Sequence, residues 1–179
     1  MATSGDEELA RSAARGDRAA FAALVERHYD RIYRLAWRWT GSPTAAEDVA
    51  QEVCVKLAGA IKGFRGDSAF STWVYRIAFT TATDHLRAAQ RLRAVEPSEM
   101  LSFVDGSASE DPESELIGAE LWKAVRALPG QQRDAVLLVY GEDMSHAEAA
   151  AIMGCTEKTV SWHLHEARKR LKAELEAAE

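Results

Sequence analysis

The sequence predicts an all-α fold: two small helical domains joined by an acidic flexible linker, the second domain containing a helix-turn-helix. Three observations carry this expectation. Apolar residues recur every three or four positions in both halves of the chain, the period of a helix with one buried stripe. Capping residues and glycines punctuate those stripes where helices should start and stop. No segment gives a convincing two-residue alternation of apolar and polar residues, so no sheet is expected.

The first stripe is Phe21, Leu24, Val25, Ile32, Leu35 and Trp39. A second helix is expected from Thr44, because Thr44 and Glu47 have capping-box spacing ahead of Ala46, Val49, Val53, Leu57 and Ile61. Its opposite face is Asp48, Gln51, Glu52 and Lys56. A third helix is expected at about 71–93, after the turn Arg65-Gly66-Asp67. Residues 95–115 hold Pro97, Gly106, Pro112, several serines and a run of acids. Such a segment buries too little apolar surface to offset its ordering entropy, so it reads as a linker between domains at 1–94 and 116–179. In the second domain, helices are expected at 116–128 and, after Pro129-Gly130, at 131–140. Ser145 and Glu148 form a capping box that opens a short helix through Ile152. Gly154 can supply a left-handed C′ position, and Thr156 caps a final helix with the stripe Val160, Leu164, Ala167, Leu171 and Leu175. Short helix, glycine turn and longer helix make a helix-turn-helix signature.

At 179 residues, 47% hydrophobic and 28% charged, the chain has enough apolar material for one ordinary domain or two small ones. No apolar run is long enough to span a bilayer, and the acidic first eight residues lack the apolar core of a signal peptide. No membrane insertion and a cytoplasmic location are therefore expected. Cys54 and Cys155 belong to no metal-spaced cluster and read as reduced, mostly packed thiols. His163 and His165 lie about 200° apart on a helix and do not easily share an ion. His28, His85 and His146 read as isolated, so no metal or cofactor is expected. No serine, histidine and acid sit in a recognisable arrangement and no phosphate-cradling glycine loop exists, which argues against an enzyme.

The net charge of −6 argues against nucleic acid until it is resolved along the chain. Residues 1–94 carry 14 basic and 11 acidic side chains, whereas residues 95–120 carry eight acids and no base. Within 62–93 the balance is six basic to two acidic. That basic stretch opens with the segment from Phe64 to Ala78, where aromatic rings and arginines alternate across a glycine turn. Tyr75, Arg76 and Phe79 are expected to share one side of the helix, with Arg87, Arg91 and Arg93 further along. Rings that stack on bases beside guanidinium groups that pair with phosphates suit single-stranded nucleic acid. Phe64 and Phe70 flank the loop, one as a core anchor and the other facing the ligand; Trp73 sits at the border of the buried face.

On the final helix, the face opposite Val160, Leu164 and Leu171 is Lys158, Ser161, Trp162, His165, Glu166, Lys169 and Lys172. In a DNA-reading helix-turn-helix, early residues of such a face meet base edges and later lysines reach phosphates. A tryptophan turned away from the core normally packs on a partner, DNA or protein.

In this order the segments resemble the bacterial RNA polymerase sigma factors of the extracytoplasmic-function (ECF) group, over residues 9–94 and 116–173. The run from Ala46 to Val53 is similar to the family helix that docks on the polymerase β′ clamp helices, which implies core contacts by Asp48, Gln51, Glu52 and Lys56. Phe64 to Ala78 resembles the −10 element reader, where a loop captures a flipped base. The resemblance extends a −10 role to Phe64, Arg65, Gly66, Asp67, Ser68, Trp73, Tyr75, Arg76, Phe79, Thr80 and Arg87. Leu128-Pro129, Gln132-Arg133 and the stretch from Ser145 to Leu171 resemble the −35 reader, implying DNA contacts by Lys158, Thr159, Ser161, Trp162, His165, Arg168 and Lys169. The implied partners are core polymerase (β′ clamp helices and β flap), promoter DNA in duplex and single-stranded form, and an anti-sigma protein, for which Trp162 and the Asp48/Glu52 face are candidate contacts.

Two departures stand out. Thr80 replaces the asparagine that helps line the family's base pocket, offering one hydroxyl instead of a paired donor and acceptor. Ser161, His163 and Glu166 stand where members commonly carry Lys or Arg, which should weaken phosphate neutralisation and flatten the salt dependence of −35 binding. Rival readings are a stand-alone helix-turn-helix regulator that binds duplex DNA by itself, and a helical interaction protein whose acidic linker is the binding segment.

Overall fold

The computed structural model describes residues 3–95 and 112–177, and every element among them is helical. The chain divides into two compact units, one within Met1–Ser98 and one within Glu99–Glu179. The expected acidic linker lies for the most part outside the described residues.

The first unit contains α1 (Thr3–Ala14), α2 (Arg18–Thr40), α3 (Pro43–Ala60) and α4 (Phe70–Val95), with a single tight turn, Ile61–Gly63, continuing α3. The sequence reading missed α1, which carries only Leu9, Ala10 and Ala13 as an apolar stripe. Tertiary contacts hold it: Asp6 accepts from Nη1 of Arg27 and from Nε2 of His28, both at 3.0 Å. His28 is thus paired rather than isolated. Asp17 caps α2 by accepting the Ala19 and Ala20 amides, which together with Ser12 hold its carboxyl below the usual carboxylate range. Gly41 ends α2 at φ +67°, its N–H donating to the Trp37 carbonyl over 2.7 Å.

The expected Thr44–Glu47 capping box does not form. Ser42 is the cap of α3, its hydroxyl accepting the Ala45 amide at 3.3 Å. The reason is Pro43, whose fixed φ suits the first helical position and moves the start two residues upstream. Downstream the stripe is as expected: Ala46, Val49, Val53, Leu57 and Ile61 are buried, as are Leu24, Ile32, Leu35 and Trp39 of α2 and Val74, Ala78 and Ala82 of α4, and α3 packs against both of those helices. Each fully buried side chain of leucine size contributes roughly 1.5–3 kcal/mol relative to exposure.

The second unit contains α5 (Pro112–Ala127), α6 (Gly130–Val136), α7 (His146–Met153) and α8 (Glu157–Ala177). α5 begins four residues before the sequence reading placed it. The helix expected at 131–140 is α6 followed by a wider π-wound turn at Leu137–Gly141, which buries Leu137 and Leu138. Ser145 and Glu148 form the expected capping box, and Ser145 bonds hold the Glu148 carboxyl below its usual range. Gly154 adopts φ +68°, and Thr156 accepts the Thr159 amide at 3.2 Å to start α8. Val160, Leu164 and Ala167 are buried as expected, and Leu171 is half-buried.

Candidate nucleic-acid interface

Between the turn after α3 and the start of α4, residues Gly63 to Ser68 fold over a cleft of about 220 Å³, lined also by Trp73 and Arg76. By contrast, the void between α2 and α4 beside His28, Arg31 and Tyr75 measures about 10 Å³, room for a single water at most. Unlike that void, the cleft is of ligand size. Gly66 sits at φ +78°, a conformation that costs an L side chain roughly 1–2 kcal/mol and that lets the loop reverse here.

Phe64 and Trp73 form the floor, with Phe70 packed behind them. Phe64 lies 5.5 Å from Phe70, edge to face, and 5.3 Å from Trp73; Phe70 lies 5.7 Å from Trp73. His28 meets Phe70 edge-on at 5.3 Å, so α1 and α2 buttress the floor through Asp6 and His28. Both phenylalanines are buried, but Phe64 also lines the cleft while Phe70 is the anchor behind it. Trp73 is half-buried at the edge of the cluster.

The loop and helix charges remain in solvent. Arg65 and Asp67 pair at 3.3 Å with both side chains about four-fifths exposed, and Arg87 meets Asp84 at 3.5 Å. Such exposed pairs hold little energy and yield readily to a phosphate. Arg76 is exposed on the cleft wall. Tyr75 does not share that side: it is 6% exposed, with the guanidinium of Arg31 over its ring at 4.7 Å. Successive helical residues differ by 100°, so placing Val74 and Ala78 in the core carries Tyr75 inward with them. Phe79 is half-buried, meeting Trp39 edge-on at 6.0 Å. Thr80 is exposed, but its hydroxyl donates to the Arg76 carbonyl at 2.8 Å and has only lone pairs left to offer.

On α3, Asp48, Gln51, Glu52 and Lys56 are all exposed. Nζ of Lys56 bridges Glu52 at 2.8 Å and the Thr81 hydroxyl at 3.1 Å, tying this face to α4. Val55, 72% exposed, adds an apolar centre that the sequence reading passed over.

α8 exposes Lys158, Ser161, Trp162, His165, Arg168 and Lys169, with Thr159 half-buried and Trp162 55% exposed. Arg168 donates to the Tyr140 hydroxyl at 2.7 Å, with its guanidinium 6.0 Å above that ring. His163, at a position where members commonly carry Lys or Arg, is buried, its Nδ1 without a hydrogen-bond partner. Burial pushes its pKa down, and the carboxylate of Asp134 opposes that only in part. Asp134 itself accepts two bonds from Arg133 at 2.9 and 3.1 Å, in a buried pair that the Gln132-Arg133 sequence only hinted at. His146, read as isolated, places Nδ1 3.0 Å from Oγ of Ser161.

Residues 24–92 match the family description sigma-70 region 2, and residues 118–171 match sigma-70 region 4. The RNA polymerase sigma-H factor of Pseudomonas aeruginosa is 34% identical over 96% of this chain and 94% of that protein. The ECF RNA polymerase sigma-E factor of Escherichia coli is 35% identical over 93% of this chain and 92% of that one. The chain belongs to the ECF sigma factors. This family consists of transcription initiation factors, not enzymes. Among solved structures, CnrH in complex with the cytosolic domain of CnrY is similar at 28% identity and a TM-score of 0.72, covering 98% of this chain and 99% of that one. The sigma factor RpoE of Bartonella quintana, solved with the anti-sigma factor NepR, shares the fold at 22% identity and a TM-score of 0.73, over 89% and 98%. No helix among the described residues is long and apolar enough to cross a membrane.

Proposed function

We propose that this ECF sigma factor binds core RNA polymerase in the cytoplasm through the α3 face of Asp48, Gln51, Glu52 and Lys56, reads the −35 element with α8, and melts the −10 element at the Gly63–Ser68 loop. The observation that carries this reading is the cleft: an aromatic floor of Phe64 and Trp73, a glycine-hinged lid, and Arg65 and Arg76 on its rim. Extruding a base costs a few kcal/mol of stacking, and a ring beneath it returns ~1–3 kcal/mol, so one enclosed base largely offsets its own unstacking. Arg65, Arg76 and Arg87 then lie along the strand's phosphates. Tyr75 takes no direct part; it anchors α4. A duplex reader acting alone has no use for such a cleft, which separates this reading from a stand-alone regulator. CnrH was solved with the cytosolic domain of CnrY and the Bartonella sigma factor with the anti-sigma factor NepR, and the exposed Trp162 and Asp48/Glu52 face support a comparable anti-sigma partner here.

The test is in vitro transcription with core polymerase on a genomic promoter library. Promoter-specific initiation is expected, with Arg65→Ala/Arg76→Ala reducing open complexes in permanganate footprints and a pre-melted −10 bubble restoring them. Tight polymerase-independent duplex binding without specific initiation overturns the reading.

A further inference from the structure

We propose that His146 is a specificity-determining residue: it sets what the Ser161 hydroxyl can offer to a base edge. This rests on the reading of α8 as the −35 helix and names a residue outside α8 that tunes it.

A side-chain bond joins the two helices of the helix-turn-helix on their exposed side, between Nδ1 of His146, the first residue of α7, and Oγ of Ser161 in α8, at 3.0 Å. Local structure fixes both ends. The Ser145–Glu148 box holds the start of α7, and Gly154 with the Thr156 cap sets where α8 begins. The acid of that first turn, Glu148, is engaged by the Ser145 amide at 2.9 Å and hydroxyl at 2.7 Å. Ser161 is exposed and His146 half-buried, so the hydroxyl faces the groove while the ring lies behind it.

A serine hydroxyl has one proton and two lone pairs, and an unrestrained one meets donors and acceptors alike, reading nothing. Accepting its proton at Nδ1 removes that freedom: Ser161 then presents lone pairs only. In the major groove these match an amino group, adenine N6 or cytosine N4, and reject guanine O6 and thymine O4. Which imidazole nitrogen carries the proton is set by what the other one meets. The first helix of a helix-turn-helix crosses the sugar-phosphate backbone, where every oxygen is an acceptor. A phosphate oxygen at Nε2 keeps the proton there and leaves Nδ1 to accept from Ser161. One ring thereby links a backbone contact, which carries no sequence information, to a base contact that does.

The test uses holoenzyme on templates with a randomised −35 element, sequencing the transcripts. Ser161→Ala and His146→Ala are each expected to reduce discrimination at the same base pair, about threefold to tenfold for one hydrogen bond, and the double variant no further. His146→Asn places an amide oxygen near the position of Nδ1 and lacks the outer N–H. It should keep the base preference while lowering transcription from every sequence. Equal melting temperatures of the variants tie these effects to recognition. Unchanged preference in His146→Ala, or effects of His146→Ala and Ser161→Ala at different base pairs, overturns the inference. Trp162→Ala, Lys158→Ala and Lys169→Ala separate the two levels. If they too leave promoter selection unaltered, the −35 reading has failed; if they alter it while His146→Ala does not, only the role of His146 has.

Discussion

Trp162 and His163 are neighbours in sequence and opposites in environment: the indole is 55% exposed, the imidazole buried. The period count separates them in part: at 100° per residue Trp162 lies opposite Val160, Leu164 and Leu171, whereas His163 falls at the border of that stripe. Packing decides His163, which is taken into the core near Asp134 as a ring that can shed its charge. The consequence is a pH dependence of stability. Burial holds the folded pKa of His163 below its ordinary value near 6.5, so the unfolded chain binds the proton first as pH falls. Stability from this group is fully present above about 6.5 and is lost as pH falls from there through the folded pKa. Thermal melts of the full chain between pH 7.5 and 5 are expected to show this loss, and His163→Leu should flatten it. An unchanged slope in His163→Leu counts against the assignment.

At the scale of elements, the local start and stop signals were read correctly where one residue could satisfy them alone. The Ser145–Glu148 box, the Gly154 C′ position and the Thr156 cap all form as the sequence implies. The Thr44–Glu47 box fails because Ser42-Pro43 offers a better start two residues earlier, so two valid signals compete and the proline wins. Helix α1 went unread because its hold is the long-range pairing of Asp6 with Arg27 and His28. Gly154→Ala tests the turn of the helix-turn-helix. No atom would clash with the new Cβ, but φ of +68° is strained for alanine, so a loss of about 1–2 kcal/mol is expected in chemical denaturation. A neutral result implies that the turn can relax without moving α8.

Across the whole molecule, the core of the first unit is continuous from Leu24 through Val49 and Leu57 to Val74, and the second unit has its own around Leu137, Leu138 and Leu164. Leu24→Ala should cost ~3–5 kcal/mol, the range for an enclosed leucine. Amide exchange is expected to accelerate through α2, α3 and α4 while the amides of α6 to α8 keep their protection. Equal acceleration in both units means that they unfold as one.

The sequence by itself determined the helical class, the helix-turn-helix, the exposed face of α3 and the aromatic–arginine segment, because each rests on a local period or a capping residue acting within one turn. Charge counts along the chain did the same for the basic stretch within 62–93. Tertiary structure alone decided which rings of that segment line the cleft. Phe64 and Trp73 become its floor over Phe70, which His28 of α2 supports from behind, and Tyr75 goes inward because Arg31 of α2 receives it. It likewise decided that His163 is buried and that His146 meets Ser161 across the turn. Spacing tells which residues share a face of one helix; which face finds a neighbour, and which side chain that neighbour supplies, depends on how the helices pack.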